Sequence, residues 1–265
     1  MQTDPSPIER IRRTLRPVRR FGCELRHRWL RLIGRLGGDW NSGLPEELRF
    51  WEEALRDPEH HWLCAEYEER MNPDLELQDC LKALIEAPPG ATVRLLDVGS
   101  GPLTRLGKKW EGRQVELYPV DPLAEEYTQL LNRLGIRPPV FPTACHAEKL
   151  TEMFAPDFFD LAYASNSLDH SYEPLGAIRQ MLAVTKLHRY VYLWHFAHAG
   201  VSEGYSGLHQ WNFDLKRGDL ILSDGRSRAY SLSAEFRGLA ELECAEERFA
   251  GERVVIGKLR KLRAS

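Results

Sequence analysis

The stretch Val93 to Thr104 reads V-R-L-L-D-V-G-S-G-P-L-T. A mostly apolar, β-favouring run leads into Asp97, and Gly99 and Gly101 follow it in a G-x-G spacing. Glycines at such positions let the backbone turn sharply and let a ligand approach where a Cβ would otherwise stand. The polar segment that ends in Thr104 can begin a helix, whose free N–H groups would face the same ligand. The stretch therefore predicts a buried first strand and a ligand-binding turn at the edge of an open α/β sheet.

A second apolar strand, Val115 to Val120, ends in Asp121. An acid at the tip of the second strand of such a sheet can accept hydrogen bonds from two adjacent ribose hydroxyls. The third glycine of the dinucleotide form G-x-G-x-x-G is absent, because Thr104 stands at its position. These residues predict a ribose-containing cofactor and disfavour a nicotinamide-dependent dehydrogenase.

The other predicted elements alternate along the chain. Further strands are indicated at Val140 to Ala144, Phe159 to Ala164, Tyr190 to Phe196 and Val254 to Ile256. Helices are indicated at Leu44 to Arg56, Trp62 to Met71, Asp74 to Glu86, Leu123 to Leu134 and Pro174 to about Val184. Their order predicts the α/β class, with a doubly wound, mostly parallel seven-stranded Rossmann-like sheet and an N-terminal helical extension. Asp219 to Ser223, Tyr230 to Phe236 and Glu252 to Lys258 should give the remaining strands and a helix.

Three motifs taken together resemble the class I S-adenosylmethionine-dependent methyltransferases. They are D-V-G-S-G, V-E-L-Y-P-V-D-P and F-F-D-L-A-Y-A-S-N-S-L-D-H, within about Thr92 to His195. The resemblance implies that S-adenosylmethionine is the cofactor and S-adenosylhomocysteine the product. Asp97, Gly99 and Gly101 would then face the methionine part of the cofactor, and Asp121 its ribose.

The resemblance extends this cofactor site to further residues. The expected set is Asp97, Gly99, Ser100, Gly101, Asp121, Pro122, His146, Ala147, Glu148, Asn166, Leu168 and Arg70. The family often has an acid near the adenine where this chain has His146, so a direct contact between a carboxylate and the adenine is in doubt. Arg70 could bind a carboxylate of the cofactor or the substrate as a bidentate donor, although a solvated arginine at a helix end is the alternative.

Methyl transfer to a hydroxyl needs positioning and a base. Histidine suits that role near neutrality, and His170 is the first candidate because it follows the fourth strand. His209 and His195 are further candidates. These three histidines and Glu203 could also bind a divalent ion, but their spacing is unlike the compact motif H-E-x-x-H. We therefore predict no metal site.

The segment from about 196 to 213 is long, aromatic and rich in hydrogen-bonding side chains, which predicts a lid that carries acceptor specificity. Tryptophan and tyrosine platforms with amide and imidazole donors suit sugars. The expected substrate-binding residues are Asp169, His198, Tyr205, Gln210, Trp211 and Asn212. The alternative is that these aromatic side chains only pack the lid against the domain.

Residues 1–36 contain ten arginines against three acids, and apolar residues recur among them at steps of three and four. This pattern predicts an amphipathic helix that could lie on an anionic membrane surface. The alternative is a helix docked on the domain with its arginines solvated. The expected division is an extension and linker at 1–43, a helical cap at 44–90 and the methyltransferase domain at 91–265.

Composition narrows the class of protein. The 265 residues carry a net charge of −3, so no nucleic-acid partner is expected, and the N-P-P-Y tetrapeptide of base-amine methylation is absent after the fourth strand. Five scattered cysteines without a C-x-x-C predict reduced thiols in the cytoplasm and no zinc site. No apolar run is long enough to span a membrane, and no signal peptide is expected.

A looser resemblance bears on the acceptor. The F-W-containing helix with R-M-N-P, N-S-L-D-H and L-H-Q-W-N-F is similar to methyltransferases of bacterial surface-polysaccharide clusters. It implies O-methylation of a saccharide or a lipid-linked glycan of the cell envelope, at the inner face of the membrane if residues 1–36 bind it. The alternatives are a small-molecule metabolite as acceptor, or a catalytically silent binding protein with this fold.

Overall fold

The computed structural model describes residues 40–263. Seven strands form the central sheet in the spatial order β3-β2-β1-β4-β5-β10-β9. They are β1 (Thr92–Val98), β2 (Gln114–Asp121), β3 (Thr143–Ala144), β4 (Phe159–Ser165), β5 (Thr185–Phe196), β9 (Ala240–Phe249) and β10 (Glu252–Lys261). Strands β1 to β5 are parallel to one another, whereas β10 is antiparallel to both β5 and β9. The predicted doubly wound, mostly parallel seven-stranded sheet is confirmed.

Helices lie in most connections between the strands of the central sheet, but the segment between β1 and β2 contains none, so the helix predicted to begin near Thr104 is absent there. The α-helices are α1 (Leu44–Arg56), α2 (Tyr67–Met71), α3 (Asp79–Lys82), α4 (Ala124–Leu134), α5 (Leu150–Met153), α6 (Pro174–Val184), α7 (Ala199–Ser202) and α8 (Leu232–Glu235). Single 3-10 turns lie at Trp40–Gly43, Pro58–His60, Trp62–Ala65, Ala147–Lys149 and Leu168–His170. Among the described residues, no helix is both long enough and apolar enough to cross a membrane.

Both faces of the sheet are buried, as a parallel sheet between helices requires. Along β1, Leu96 and Val98 join the apolar cluster on one face, and Val93 and Leu95 join the cluster on the other. A third cluster lies between α1 and α4 and includes Trp51. This third cluster fixes α1 beside the end of β1 at which the glycines lie.

The structure shortens three predicted elements. The helix expected from Trp62 to Met71 is a 3-10 turn followed by α2. The third strand begins only at Thr143, because Pro142 has no N–H to donate to the ladder. The helix expected from Asp74 to Glu86 is reduced to α3. The backbone before it bonds instead to the segment after the glycine turn, where Leu75 O accepts from Lys108 N at 2.7 Å.

A second sheet was not predicted as a separate unit. It consists of β6 (Asn212–Lys216), β7 (Asp219–Ser223) and β8 (Ala229–Ser231). Phe213, Leu220 and Leu222 pack from it into the main apolar cluster. The expected segment from Tyr230 to Phe236 divides between β8 and α8. The amphipathic helix predicted within residues 1–36 lies outside the described residues.

Candidate active site

The glycine turn after β1 lies at the switch point of the sheet, where β1 has β2 on one side and β4 on the other. Gly99 and Gly101 have φ values of +67° and +62°, which L side chains rarely adopt. A Cβ on Gly99 would lie 2.4 Å from Cβ of Ser167, and one on Gly101 would lie 2.6 Å from Cζ2 of Trp51. The turn therefore packs against the loop after β4 and against α1.

Asp97 is buried at the end of β1 and accepts a hydrogen bond from Thr104 Oγ1 at 2.5 Å. Burial raises the pKa of this carboxyl to about 6, although Thr104 and nearby cations such as Arg70 oppose the rise. Arg70 is itself buried, and its Nη2 donates to Glu66 at 2.7 Å while its Nη1 donates to Leu103 O at 2.6 Å. Its predicted contact with a cofactor or substrate carboxylate stays a prediction.

Asp121 joins the glycine turn to the end of β2. Its carboxylate accepts from Gly101 N at 3.0 Å and from Leu123 N at 2.9 Å. Burial raises its pKa to about 7, and the negative charges of Glu47 and Asp97 add to the rise. The carboxylate is therefore fixed where the first two strands end, at the position predicted for a ribose contact.

The loop after β3 brings an aromatic group to this edge of the sheet. The His146 ring lies 5.4 Å from the Trp40 ring and 5.8 Å from the Tyr172 ring, centroid to centroid. Its Nδ1 is buried and finds no hydrogen-bond partner within residues 40–263. Glu148 accepts hydrogen bonds from Ser171 Oγ and, at 3.3 Å, from Glu173 N, so it holds its own loop together. Ala147 begins a 3-10 turn there.

The remaining predicted cofactor residues have structural contacts of their own. Ser100 Oγ donates to Gly101 O, and the Asn166 side chain accepts from Phe196 N at 3.3 Å. Leu168 belongs to the main apolar cluster, so its side chain packs into the core. Pro122, between β2 and α4, is half-buried. The cofactor roles of these residues stay predictions.

Three side chains from two loops meet beyond the end of β4, and we call Asp169, His170 and His209 the His–Asp cluster. His209 Nδ1 lies 2.9 Å from His170 Nε2 and 2.8 Å from Asp169 Oδ2. His170 Nε2 and Asp169 Oδ2 are 3.5 Å apart. The Asp169 side chain is 1% exposed, against 19% for His170 and 28% for His209. The carboxylate is therefore the buried member of the cluster, and the two rings are its partly exposed members.

The negative charge of Asp169 and the positive charge of a protonated His209 stabilise each other. Burial alone would raise the pKa of Asp169, but the neighbouring His170 and His209 outweigh it and hold that pKa well below its usual range. Burial likewise disfavours a charged His209, yet the hydrogen bond to Asp169 and the charge of that carboxylate raise its pKa to about 9. In the protonated form His209 is a donor and cannot take up another proton, which leaves His170 as the candidate for the base.

His195 lies in β5 and is buried, with its ring stacked on Phe213 at 4.1 Å. Desolvation lowers its pKa to about 4, and neither ring nitrogen has a partner in the described part of the chain. A base must come within hydrogen-bonding reach of the proton that it removes. The burial of this ring therefore argues against the prediction of His195 as a base.

The predicted lid is a packed structure whose polar side chains mostly bind its own backbone. Asn212 Oδ1 accepts from Val201 N at 2.9 Å, and its Nδ2 donates to Tyr205 Oη at 2.9 Å. Gln210 Nε2 donates to the carbonyls of Tyr205 and Gly207. These bonds favour the alternative that the segment is packed rather than open to a sugar.

Two further expected substrate residues also have other neighbours. Trp211 is 2% exposed, and Arg228 covers its ring at 4.4 Å from the centroid. His198 Nε2 lies 3.4 Å from Asp214 Oδ1, in a group of charges that includes Arg253. Asp169 is the predicted substrate residue that the structure places in the cluster.

Sequence reasoning missed Glu47. It lies in the first turn of α1, where an acid is ordinarily explained by the helix dipole. In the structure its Oε1 accepts from Trp51 Nε1 at 2.9 Å, and its Oε2 lies 3.8 Å from His170 Nδ1. Trp40 Nε1 donates to His170 O at 2.7 Å. The N-terminal part of the described chain thus covers the His–Asp cluster.

Several solved structures are similar to this chain. The 1,6-didemethyltoxoflavin-N1-methyltransferase of Burkholderia thailandensis, with bound 1,6-didemethyltoxoflavin and S-adenosylhomocysteine, matches with a TM-score of 0.45 and 17% identity, over 85% of this chain and 92% of that one. A SAM-dependent methyltransferase from Aquifex aeolicus matches with a TM-score of 0.43 and 13% identity, over 79% and 96%. Haemonchus contortus phosphoethanolamine N-methyltransferase 2, in complex with S-adenosylmethionine, matches with a TM-score of 0.47 and 11% identity, over 80% and 60%.

No protein-family model and no curated protein matches the chain. By its sheet order and by the position of its glycine turn, the chain is a doubly wound α/β protein with a Rossmann-like crevice. The three similar structures are methyltransferases of low sequence identity, so the assignment of a reaction rests on the residues of this chain.

Proposed function

We propose that the protein is an S-adenosylmethionine-dependent methyltransferase that methylates a hydroxyl group. The observation that carries this proposal is the contact between the glycine turn and the loop after β4. Gly99 touches Ser167, two residues before the His–Asp cluster. A cofactor bound along the turn would therefore present its reactive end close to Asp169, His170 and His209.

The residues at the turn suit this cofactor. Gly99 and Gly101 hold the backbone of the turn at positive φ, with Ser167 and Trp51 packed where a side chain would stand. Asp121 keeps free lone pairs for ribose hydroxyls beside its two backbone bonds. Asp97 is a second buried acid at the end of β1, close to the expected position of the cofactor's methionine part. When bound, S-adenosylmethionine would supply an electrophilic methyl group on a positively charged sulfur.

The His–Asp cluster would act on the acceptor. A hydroxyl is a poor nucleophile until its proton is removed during the attack. His170 is half-buried, with Glu47 Oε2 3.8 Å from its Nδ1 and Asp169 Oδ2 3.5 Å from its Nε2, so its ring is held between two carboxylates. Asp169 and His209 would orient the ring of His170 from the other side.

We infer that the acceptor is a saccharide or a lipid-linked glycan of the cell envelope. This inference is supported by the resemblance of N-S-L-D-H and L-H-Q-W-N-F to surface-polysaccharide methyltransferases, because these two motifs contribute the members of the cluster. Residues 1–36 would then bind an anionic membrane surface from the cytoplasmic side. A small-molecule metabolite is the alternative acceptor, and a silent binding protein is the alternative to an enzyme.

Isothermal titration tests the cofactor assignment. The full chain should bind S-adenosylmethionine with a Kd on the order of micromolar, while NAD, offered as the control ligand, should not bind. Asp121→Ala should weaken the binding of S-adenosylmethionine by about 1–3 kcal/mol through the lost charged hydrogen bonds. Binding of NAD instead, or equal affinity in the variant, would contradict the assignment. Tight cofactor binding without transfer to any extracted glycan or metabolite would favour the silent protein.

A further inference from the structure

The His–Asp cluster combines the ligand types of a transition-metal site. Two imidazole nitrogens and one carboxylate oxygen converge, with separations of 2.9, 2.8 and 3.5 Å. Atoms about 2.1 Å from a common ion, and at roughly right-angled to tetrahedral positions around it, lie about 3.0–3.4 Å from one another. We propose that Asp169 Oδ2, His170 Nε2 and His209 Nδ1 bind a divalent transition-metal ion.

The protons in the cluster support this proposal. A neutral imidazole nitrogen has either one hydrogen or one lone pair to offer. His209 Nδ1 lies within 3 Å of both Asp169 Oδ2 and His170 Nε2, so without a metal ion its one N–H is shared between two acceptors. Around a metal ion all three atoms would contribute lone pairs, and no proton would have to be shared.

The surroundings hold the ligands in place. Asp169 O accepts from both Gln210 N and Trp211 N, which ties the loop after β4 to the loop that carries His209. Within the described chain, Asp169 Oδ1 is buried and has no hydrogen-bond partner. Glu47 lies near the outer nitrogen of His170, where a second carboxylate commonly orients a metal-binding imidazole.

The ligand set indicates which ions would bind. Imidazole suits zinc, iron, nickel and similar ions, whereas magnesium and calcium prefer oxygen ligands. Three protein ligands would leave coordination positions open for an acceptor, and the His170 and His209 side chains are 19% and 28% exposed. The spacing of these residues in the sequence disfavoured a metal site because it is unlike that of ligands on one helix. The fold takes them instead from two loops 39 residues apart.

The catalytic role of the ion rests on the proposed function, but its binding does not. A metal-bound hydroxyl has a lowered pKa, so the acceptor would lose its proton to solvent. Its oxygen would form a bond to the methyl carbon while the carbon–sulfur bond breaks, giving the methyl ether and neutral S-adenosylhomocysteine. His170 would then serve as a ligand rather than as the base.

Cobalt(II) absorption tests the site. The full chain, freed of metal with a chelator, should bind Co²⁺ and show visible ligand-field bands without the thiolate charge-transfer bands that the cysteines would give. His209→Gln, His170→Gln and Asp169→Asn should each weaken this binding by at least about tenfold. His60→Gln is the matched control, because His60 also contacts an aspartate but is 80% exposed and distant in sequence. It should bind Co²⁺ as the unchanged protein does.

Three results would overturn the metal site: no cobalt binding by the unchanged protein, equal binding after His209→Gln, or spectra dominated by thiolate. Circular dichroism and thermal unfolding show whether each variant is folded, and the two partly exposed histidines provide variants that should fold. S-adenosylmethionine titration of the metal-free protein separates the two proposals. Cofactor binding without cobalt binding refutes the metal alone, and the reverse refutes the cofactor alone.

Discussion

The role that each residue can take at this site depends on the groups that it contacts. His170 and His209 share Asp169, so both can take part in chemistry at the surface of the cluster. His195, by contrast, is stacked on Phe213 and has two ring nitrogens without partners among the described residues. The sequence does not distinguish the three histidines as candidate bases, whereas their burial in the structure does.

This difference predicts the effect of His195→Phe. The substitution removes two buried nitrogens that lack hydrogen bonds and keeps an aromatic ring against Phe213. Replacing unsatisfied polar atoms by apolar ones of similar shape is nearly neutral or stabilising. The free energy of unfolding, measured with urea, should therefore stay equal or rise by about 1 kcal/mol. Cofactor affinity should not change.

The comparison variant for this prediction is Phe213→Leu, which weakens the same stacked pair without touching a polar atom. It should destabilise the protein by about 1 kcal/mol as a large-to-small change in the core. A loss of more than about 2 kcal/mol in His195→Phe would show that the ring nitrogens bind something essential.

At the scale of elements, α1 and the glycine turn form one packed unit. Trp51 fills the space over Gly101, and Glu47 from the same helix reaches toward His170. Helix α1 therefore lines the site and also packs against the sheet. A substitution in the turn should disturb the packing of this helix.

Gly101→Ala tests that packing. The new Cβ would meet the Trp51 ring at 2.6 Å while φ stays at +62°, so both a clash and backbone strain oppose it. We expect a loss of about 2–4 kcal/mol in the free energy of unfolding, since overpacking costs about 1–3 kcal/mol and strain adds to it. Weaker binding of S-adenosylmethionine should accompany the loss.

Gly90→Ala provides the control for strain alone. Gly90 has a φ of +82°, but a Cβ there would meet nothing within 4 Å. This variant should lose only about 1 kcal/mol and keep its cofactor affinity. Equal losses in the two variants would show that Trp51 moves aside freely.

At the scale of the whole molecule, two buried acids make stability depend on pH. The pKa of Asp121 in the folded protein is raised to about 7 from an ordinary 3.8. Such a group contributes stability that is complete below the ordinary value and is lost as the pH rises through the folded value. Asp97, raised to about 6, acts in the same direction.

Asp121→Asn isolates this contribution, because the amide cannot ionise. Relative to the unchanged protein, the variant should gain stability as the pH rises from about 4 to about 8, by on the order of 3 kcal/mol. Urea unfolding at several pH values measures the difference. Asp79→Asn is the control, since the Asp79 side chain is 98% exposed. A difference that stays flat with pH for Asp121→Asn would contradict the raised pKa of this buried carboxyl group.

The central sheet could be predicted because the residues that mark the ends of its strands lie next to those strands in the sequence. Apolar runs that end in Asp97 and Asp121, with glycines between them, mark strand ends without knowledge of the rest of the chain. The bounds of β3 and α3 were less accurate, because they depend on Pro142 and on backbone bonds to a distant segment. The second sheet was not predicted as a separate unit because its strands are only five, five and three residues long, too short for a clear pattern.

The candidate site was predictable only in part. The residues after β4 follow from the rule that loops at the carboxyl ends of parallel strands form the crevice. That His209 would join Asp169, that Glu47 would face His170, and that Asn212 would bind the lid's own backbone are consequences of tertiary packing. No spacing in the sequence carries that information.

The two borders of the central sheet have a further consequence. One border is β3, which is two residues long and follows a proline, and the other is β9, whose outer part carries Glu241, Glu243, Glu246 and Glu247. A long, flat and apolar border would act as a template on which unfolded chains add and aggregate. Here the first border is too short to recruit another chain, and the second presents charged side chains instead of an apolar strip. Within the described residues, the second half of β9 is exposed without offering a flat apolar template to another chain.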